Sequence, residues 1–209
     1  MKWFKVSLEL SEKDIYKLKD ASKIIGNDGL VIYPTDTVYG LGANPLSQPA
    51  VEKVFRIKRR PLNKPLPILV SNKDIILMFA EANEKILDLL ERFWPGPITF
   101  ILKLRNRDFF PNILTSNLNS IGVRMPNHPV ALKFIEYCGG LIVGTSANIS
   151  GFPPPRNPVD AVKQLISVDA VIDAGPTPLG VPSTVIDVSG RRPKILRKGA
   201  VEIDISSLW

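Results

Sequence analysis

The residues with the clearest chemical potential form one short stretch and a cluster after it. An apolar run, Leu30 to Tyr33, stops at Pro34, and Thr35, Asp36, Thr37, Gly40 and Gly42 follow. Further on comes Lys58-Arg59-Arg60, a basic cluster with no acidic residue in it. Hydroxyls and glycine backbone at a strand end, close to clustered cations, are the chemistry of a small anionic ligand such as a nucleotide. The standard phosphate loops are absent: the chain has no G-x-x-x-x-G-K-[ST] and no G-x-G-x-x-G, and Gly40-Leu41-Gly42 is a lone G-x-G.

Two further polar clusters end strand-like runs, Thr145 to Asn148 and Ser183-Thr184. Short polar side chains there often face a ligand, but Ser, Thr, Asn and Gly also dominate ordinary turns. Lys58 and Arg60 are two residues apart, a spacing that does not share a helix face. At a frayed helix end or in a strand they can converge, and Pro61, which biases Arg60 away from the helical region, supports the helix end. Asp36, Asp173 and Asp187 stand near strand ends. For Asp36 the reading is a residue that holds the loop or orients a ligand, with loop architecture preferred. His128, the one histidine, precedes Pro129 at an expected helix start, where a capping or surface role is read; no Ser/His/Asp triad follows from it. No His, Asp or Glu cluster has metal-ligand spacing, so no protein metal site is expected. Cys138, the one cysteine, excludes an internal disulfide and is read as a buried inert thiol. Aromatic residues do not interleave with basic ones as in a single-strand stacking platform.

These clusters must be positioned by a fold of ordinary composition. The chain has 209 residues, 44% hydrophobic and 22% charged. That suits one domain, 1–209, able to bury a core without staples. No apolar run is long enough for a membrane span, and Met1-Lys2-Trp3-Phe4-Lys5 does not resemble a signal peptide, so the expected location is cytoplasmic. The net charge of +7 concentrates in Lys53, Arg56, Lys58, Arg59, Arg60 and Lys64, and in Arg191, Arg192, Lys194, Arg197 and Lys198. Such fields attract phosphates; a solvated cationic surface is the plainer alternative.

Ser11-Glu12-Lys13-Asp14 predicts a capping box, with Ile15, Leu18, Ala21 and Ile25 at helical spacing and a stop near Gly26. Helices are also expected after Pro49, over 75–80, 84–93, 129–137 and 159–166. Strands are expected over 30–33, 67–70, 99–104, 121–125, 141–144, 170–173, 184–188 and 195–196. Trp94-Pro95-Gly96-Pro97 must end the third helix, and 111–120 reads as loop. Helices and strands mix without strict alternation, which predicts an α+β or mixed α/β domain around one twisted sheet.

From Pro34 to Gly42 the chain resembles the signature of the YrdC-like threonylcarbamoyl-adenylate synthases. Lys58-Arg59-Arg60-Pro61, Lys64-Pro65-Leu66, Trp94-Pro95-Gly96-Pro97-Ile98-Thr99, Val123-Arg124-Met125-Pro126, Thr145-Ser146-Ala147-Asn148, Pro182-Ser183-Thr184-Val185 and Leu196-Arg197-Lys198-Gly199 continue the likeness in order, over about 30–199. The resemblance implies a twisted mixed sheet with a basic concave surface. It implies a nucleotidyltransferase that condenses L-threonine, bicarbonate and ATP to threonylcarbamoyl-AMP and pyrophosphate, for N6-threonylcarbamoyladenosine in tRNA. By resemblance Thr37, Arg124 and Ser183 contact threonine, and Leu69 and Gly144 line its pocket. Lys58, Arg60, Ser146 and Asn148 match the nucleotide-binding set, with Lys58 and Arg60 in the catalytic role. Lys64, Ser120, Pro154 and Arg197 fall at ATP contacts. Mg²⁺ is expected on the nucleotide. The implied partners are tRNA or double-stranded RNA and a tRNA threonylcarbamoyltransferase complex, with no membrane. Longer relatives add a linker and a C-terminal domain, so the expected form here is the short one. Two other readings stay open: a double-stranded RNA or ribosome-binding module, and a carbamoyl-adenylate former.

Overall fold

The computed structural model describes residues 1–204. In chain order the elements are β1 (Lys2–Lys5), α1 (Glu12–Gly26), β2 (Val31–Tyr33), β3 (Gly40–Gly42), α2 (Gln48–Lys58), β4 (Ile68–Val70), α3 (Glu84–Phe93), β5 (Ile98–Lys103), α4 (Asn112–Thr115), β6 (Ser120–Arg124), α5 (Pro129–Tyr137), β7 (Leu141–Val143), β8 (Thr145–Ser146), α6 (Pro158–Gln164), β9 (Ala170–Asp173), β10 (Thr184–Asp187) and β11 (Lys194–Arg197). Short 3₁₀ segments cover Lys73–Met78 and Arg107–Phe109. Among the described residues no helix is long and apolar enough to cross a membrane.

Local signals set the helix ends. Ser11 caps α1, accepting from the Asp14 amide at 3.3 Å while the Asp14 carboxylate accepts from the Ser11 amide. Asn83 caps α3 through the Ile86 amide, and His128 caps α5 through the Ala131 amide at 3.4 Å. After α3, Trp94 turns to extended backbone and Pro95-Gly96-Pro97 leads into β5.

The mixed α/β class is as expected, but the strands form two sheets rather than one. The five-stranded sheet runs β1-β9-β2-β3-β8 and the six-stranded sheet β11-β10-β5-β6-β4-β7. In the first, β9 is parallel to both β1 and β2, and β3 is antiparallel to β2 and β8. In the second, β5 is parallel to β10 and antiparallel to β6, and β4 is parallel to β6 and antiparallel to β7. The sheets adjoin where the Val143 amide donates to the Ala43 carbonyl at 3.0 Å and the Tyr33 hydroxyl to the Val143 carbonyl.

Alternating side chains feed two cores, as the period of a strand requires. Val31, Tyr33, Leu69, Ile142, Ala170 and Ile172 pack against Leu18, Ala21 and Ile25 of α1 and Phe134 and Ile135 of α5. Their neighbours Ile32, Ile68, Val70, Val143 and Val171 point to the opposite core, with Val51, Val54, Phe79, Phe100 and Leu102. Each fully buried side chain of this size contributes about 1.5–3 kcal/mol.

Candidate active site

A cavity of about 250 Å³ opens where the 35–40 loop, the 65–69 segment, β5, β6, β10 and the 144–146 crossing meet. The loop is held from within and from above. The Thr35 hydroxyl accepts from the amides of Thr37 (3.1 Å) and Val38 (3.3 Å) and donates to the Val38 carbonyl at 2.7 Å. The 176–182 segment lies across it: the Leu179 amide donates to the Asp36 carbonyl at 3.1 Å and the Gly180 amide to the Thr37 carbonyl at 2.8 Å. Thr35, Asp36 and Thr37 are all buried.

One corner of the cavity is an ion pair. Arg124, at the end of β6, donates to the Thr37 hydroxyl at 2.8 Å and to the Asp36 carboxylate. Arginine and carboxylate are each 6% exposed at the side chain. Burial works against the Arg124 charge, and the Asp36 carboxylate works for it. The second arm of this fork is open: Arg124 Nε and Asp36 Oδ2 are buried without a partner. Asp36 therefore does more than shape the loop; it neutralises the arginine beneath the cavity.

The opposite corner holds cations with carbonyl oxygens. The α2 helix ends at Lys58, Arg59 takes a left-handed conformation (φ 49°), and the Arg60 amide returns to the Phe55 carbonyl at 2.9 Å. That turn is how residues two apart converge. Lys58 is 1% exposed, and its ammonium donates to the carbonyls of Ser146 and of Asn148, the latter at 2.7 Å. Burial, and then the charge of Arg60, pulls the Lys58 pKa down to about 7. Arg60 donates to the carbonyls of Lys64 (2.9 Å) and Pro65 (2.8 Å). Arg197, on β11, donates to the Ser183 carbonyl at 2.8 Å and to its hydroxyl at 3.2 Å. Burial lowers the pKa of both arginines, and mutual repulsion adds to it: Arg197 acts on Arg60, and Arg124 on Arg197. Among the described residues none of Lys58, Arg60 and Arg197 forms an ion pair. An anion in the cavity relieves that repulsion.

Of the residues marked out in the sequence, Thr37, Arg60, Leu69, Arg124, Gly144, Ser146, Ser183 and Arg197 line the cavity together. Gly144 is required there, since a Cβ would stand 2.3 Å from Leu69 Cγ. Lys58 and Asn148 sit directly behind Ser146, whose hydroxyl donates to Asn148 Oδ1 at 2.5 Å. Lys64, Ser120 and Pro154 are outside the lining: Lys64 is exposed, while Ser120 and Pro154 are half-buried. The cavity also contains Thr35, from the first polar cluster, and residues to which the sequence assigned no role, among them Thr99, Ile101, Gly122 and Val185. Thr99 closes the Trp94–Thr99 motif, whose proline turn explains a helix stop without giving the threonine a role. Among the described residues no group of three or more His, Cys, Asp or Glu side chains could hold a metal ion.

A mixed α/β frame holds a cation-lined cavity between its sheets, a setting whose charge suits small anionic ligands. The chain belongs to the Sua5/YciO/YrdC family, whose model, described as "Telomere recombination", matches residues 23–199. It is 39% identical over 191 residues to the threonylcarbamoyl-AMP synthase of Pyrococcus abyssi, covering 90% of this chain and 56% of that protein. The crystal structure of P. abyssi Sua5 complexed with L-threonine superposes with a TM-score of 0.89 at 37% identity, over 95% of this chain and 58% of the other. E. coli YciO superposes with a TM-score of 0.87 at 25% identity, over 98% and 99% of the two chains. The chain thus spans just under three-fifths of the curated relatives it matches first.

Proposed function

We propose that this chain forms threonylcarbamoyl-AMP from L-threonine, bicarbonate and ATP, releasing pyrophosphate. The observation that carries the reading is the assembly of Thr37, Arg60, Arg124, Ser146, Ser183 and Arg197 around one cavity, in a chain 39% identical to a threonylcarbamoyl-AMP synthase. The threonine ammonium loses its proton to solvent, and the free amine and bicarbonate then give a carbamate and water. A carbamate oxygen then attacks the α-phosphorus of ATP, and pyrophosphate leaves. The nucleophile is already an anion, so no general base is needed and the protein contributes positioning and charge stabilisation.

The Arg124 corner takes the threonine carboxylate, with Thr37 and Ser183 orienting the rest of the amino acid. Arg60 and Arg197 take the phosphates, with the Ser146 hydroxyl turning from Asn148 Oδ1 to a phosphate oxygen and Lys58 as the charge behind it. Mg²⁺ arrives on the ATP and screens the charge of its phosphates. The product serves tRNA N6-threonylcarbamoyladenosine synthesis in the cytoplasm, through a threonylcarbamoyltransferase complex. The test is pyrophosphate release with ATP and bicarbonate, with and without L-threonine, together with mass detection of threonylcarbamoyl-AMP. Release that does not depend on threonine refutes the reading.

A further inference from the structure

We propose that Thr99 is a positioning residue of this site, holding the Ser183 hydroxyl so that one hydroxyl proton of the pair faces the cavity. The inference rests on the synthase reading above. Thr99 and Ser183 are each 6% exposed, both line the cavity, and their hydroxyl oxygens are 2.8 Å apart. Thr99 lies on β5 opposite Val185 of β10, and Ser183 just precedes β10. On the other side β6 supplies Gly122, where a Cβ would stand 3.4 Å from the Thr99 methyl. The methyl therefore faces β6 and the hydroxyl faces Ser183, and a β-branched side chain keeps such a setting.

Proton counting then fixes what the pair can offer. A hydroxyl has one proton and two lone pairs. Arg197 Nη2 donates to the Ser183 oxygen at 3.2 Å and so occupies one lone pair. The bond between the two hydroxyls consumes one of their two protons. In either direction one proton is left, and the open space beside it is the cavity. The pair is thus a single donor aimed at an acceptor oxygen of the ligand. Polarisation by a guanidinium strengthens it. The same chain of contacts ties Ser183, on the amino-acid side, to Arg197, on the phosphate side.

The test is steady-state kinetics of Thr99→Val and Thr99→Ser beside wild type, with pyrophosphate release as readout. Valine keeps the methyl against Gly122 and removes the hydroxyl; serine does the reverse. Loss of one hydrogen bond to a neutral partner predicts that Thr99→Val raises the KM for L-threonine about fivefold. Its KM for ATP should stay within about twofold, and Thr99→Ser should return the threonine KM to within about twofold of wild type. A double-mutant cycle supplies a second reading: the threonine KM of Thr99→Val combined with Ser183→Ala should fall well short of the product of the two single effects, because both act through one donor. The inference is overturned if Thr99→Val matches wild type, if serine is as impaired as valine, or if the two substitutions act independently. Wild-type protein without threonine-dependent release would instead overturn the synthase reading, and this inference with it. Should Thr99→Val fail to fold, the cycle is run with Thr99→Ala, under the same criteria.

Discussion

Two corners of one cavity hold their cations in opposite ways. Arg124 is matched by a carboxylate, so its corner is close to neutral overall. Lys58, Arg60 and Arg197 are held by backbone carbonyl oxygens, which orient a donor without cancelling its charge. A carboxylate partner makes a cation part of the architecture. Carbonyl partners leave the charge to be completed by whatever enters. The zwitterionic amino acid and the polyanionic nucleotide call for such a division.

Removing Asp36 should have the largest effect. Asp36→Ala leaves Arg124 buried without a counter-charge, and denaturant unfolding should show a loss of about 3–5 kcal/mol. The substitution Lys58→Met should act on turnover instead. Pyrophosphate release should fall about a hundredfold, while far-UV circular dichroism and a cooperative melt persist; unchanged turnover would remove Lys58 from the mechanism. Arg124→Lys keeps the charge that Asp36 requires but loses the planar fork. It should raise the threonine KM about thirtyfold and leave the ATP KM within about threefold. An equal rise in both would erase the division between the corners.

The smallest effect is one of pH. Lys58 in the fold has a pKa lowered to about 7 from an ordinary 10.5. Between those values the unfolded chain holds the proton and the fold does not, so this residue makes stability rise with pH across that window. An anion beside Lys58 raises its pKa again, so binding takes up a proton. The apparent Kd for ATP should therefore increase above pH 7, by at most about tenfold per unit, and the dependence should vanish in Lys58→Met. A flat profile in wild type would place the phosphates away from Lys58.

Helices were readable where a local device ended them. The Ser11 box, the Pro129 start, the His128 cap and the Trp94–Pro97 stop all act within a few residues. Sheet membership was not, because it is decided by distant partners. The β3 strand is Gly-Leu-Gly, poor in β propensity, and it forms because the bare backbone fits against the Tyr33 ring, which a Cβ on Gly40 would approach to 3.2 Å. With β8 only two residues long, no alternation could mark it. The Asn112–Thr115 turn was missed within a polar stretch that read as loop. In the site, ordered motifs covered most of the lining, Thr99 included, but gave Thr99 no role, because its partner Ser183 lies 84 residues away. Nor did charge alone distinguish the paired Arg124 from the unpaired Arg60, since Asp36 stands 88 residues from Arg124.

The pairing of β1 with β9 joins Lys2 to Ala170 and Lys5 to Asp173, and that has a consequence for the order in which the molecule comes into being. Synthesised from its N-terminus at about 5–20 residues per second, the chain exposes Trp3 and Phe4 for roughly 10–30 s before their partner strand exists. The two lysines that flank these aromatics, Lys2 and Lys5, are exposed in the finished protein. Charge at such an edge discourages a premature strand partner, so the same pair guards the newborn chain while its sheet waits to close.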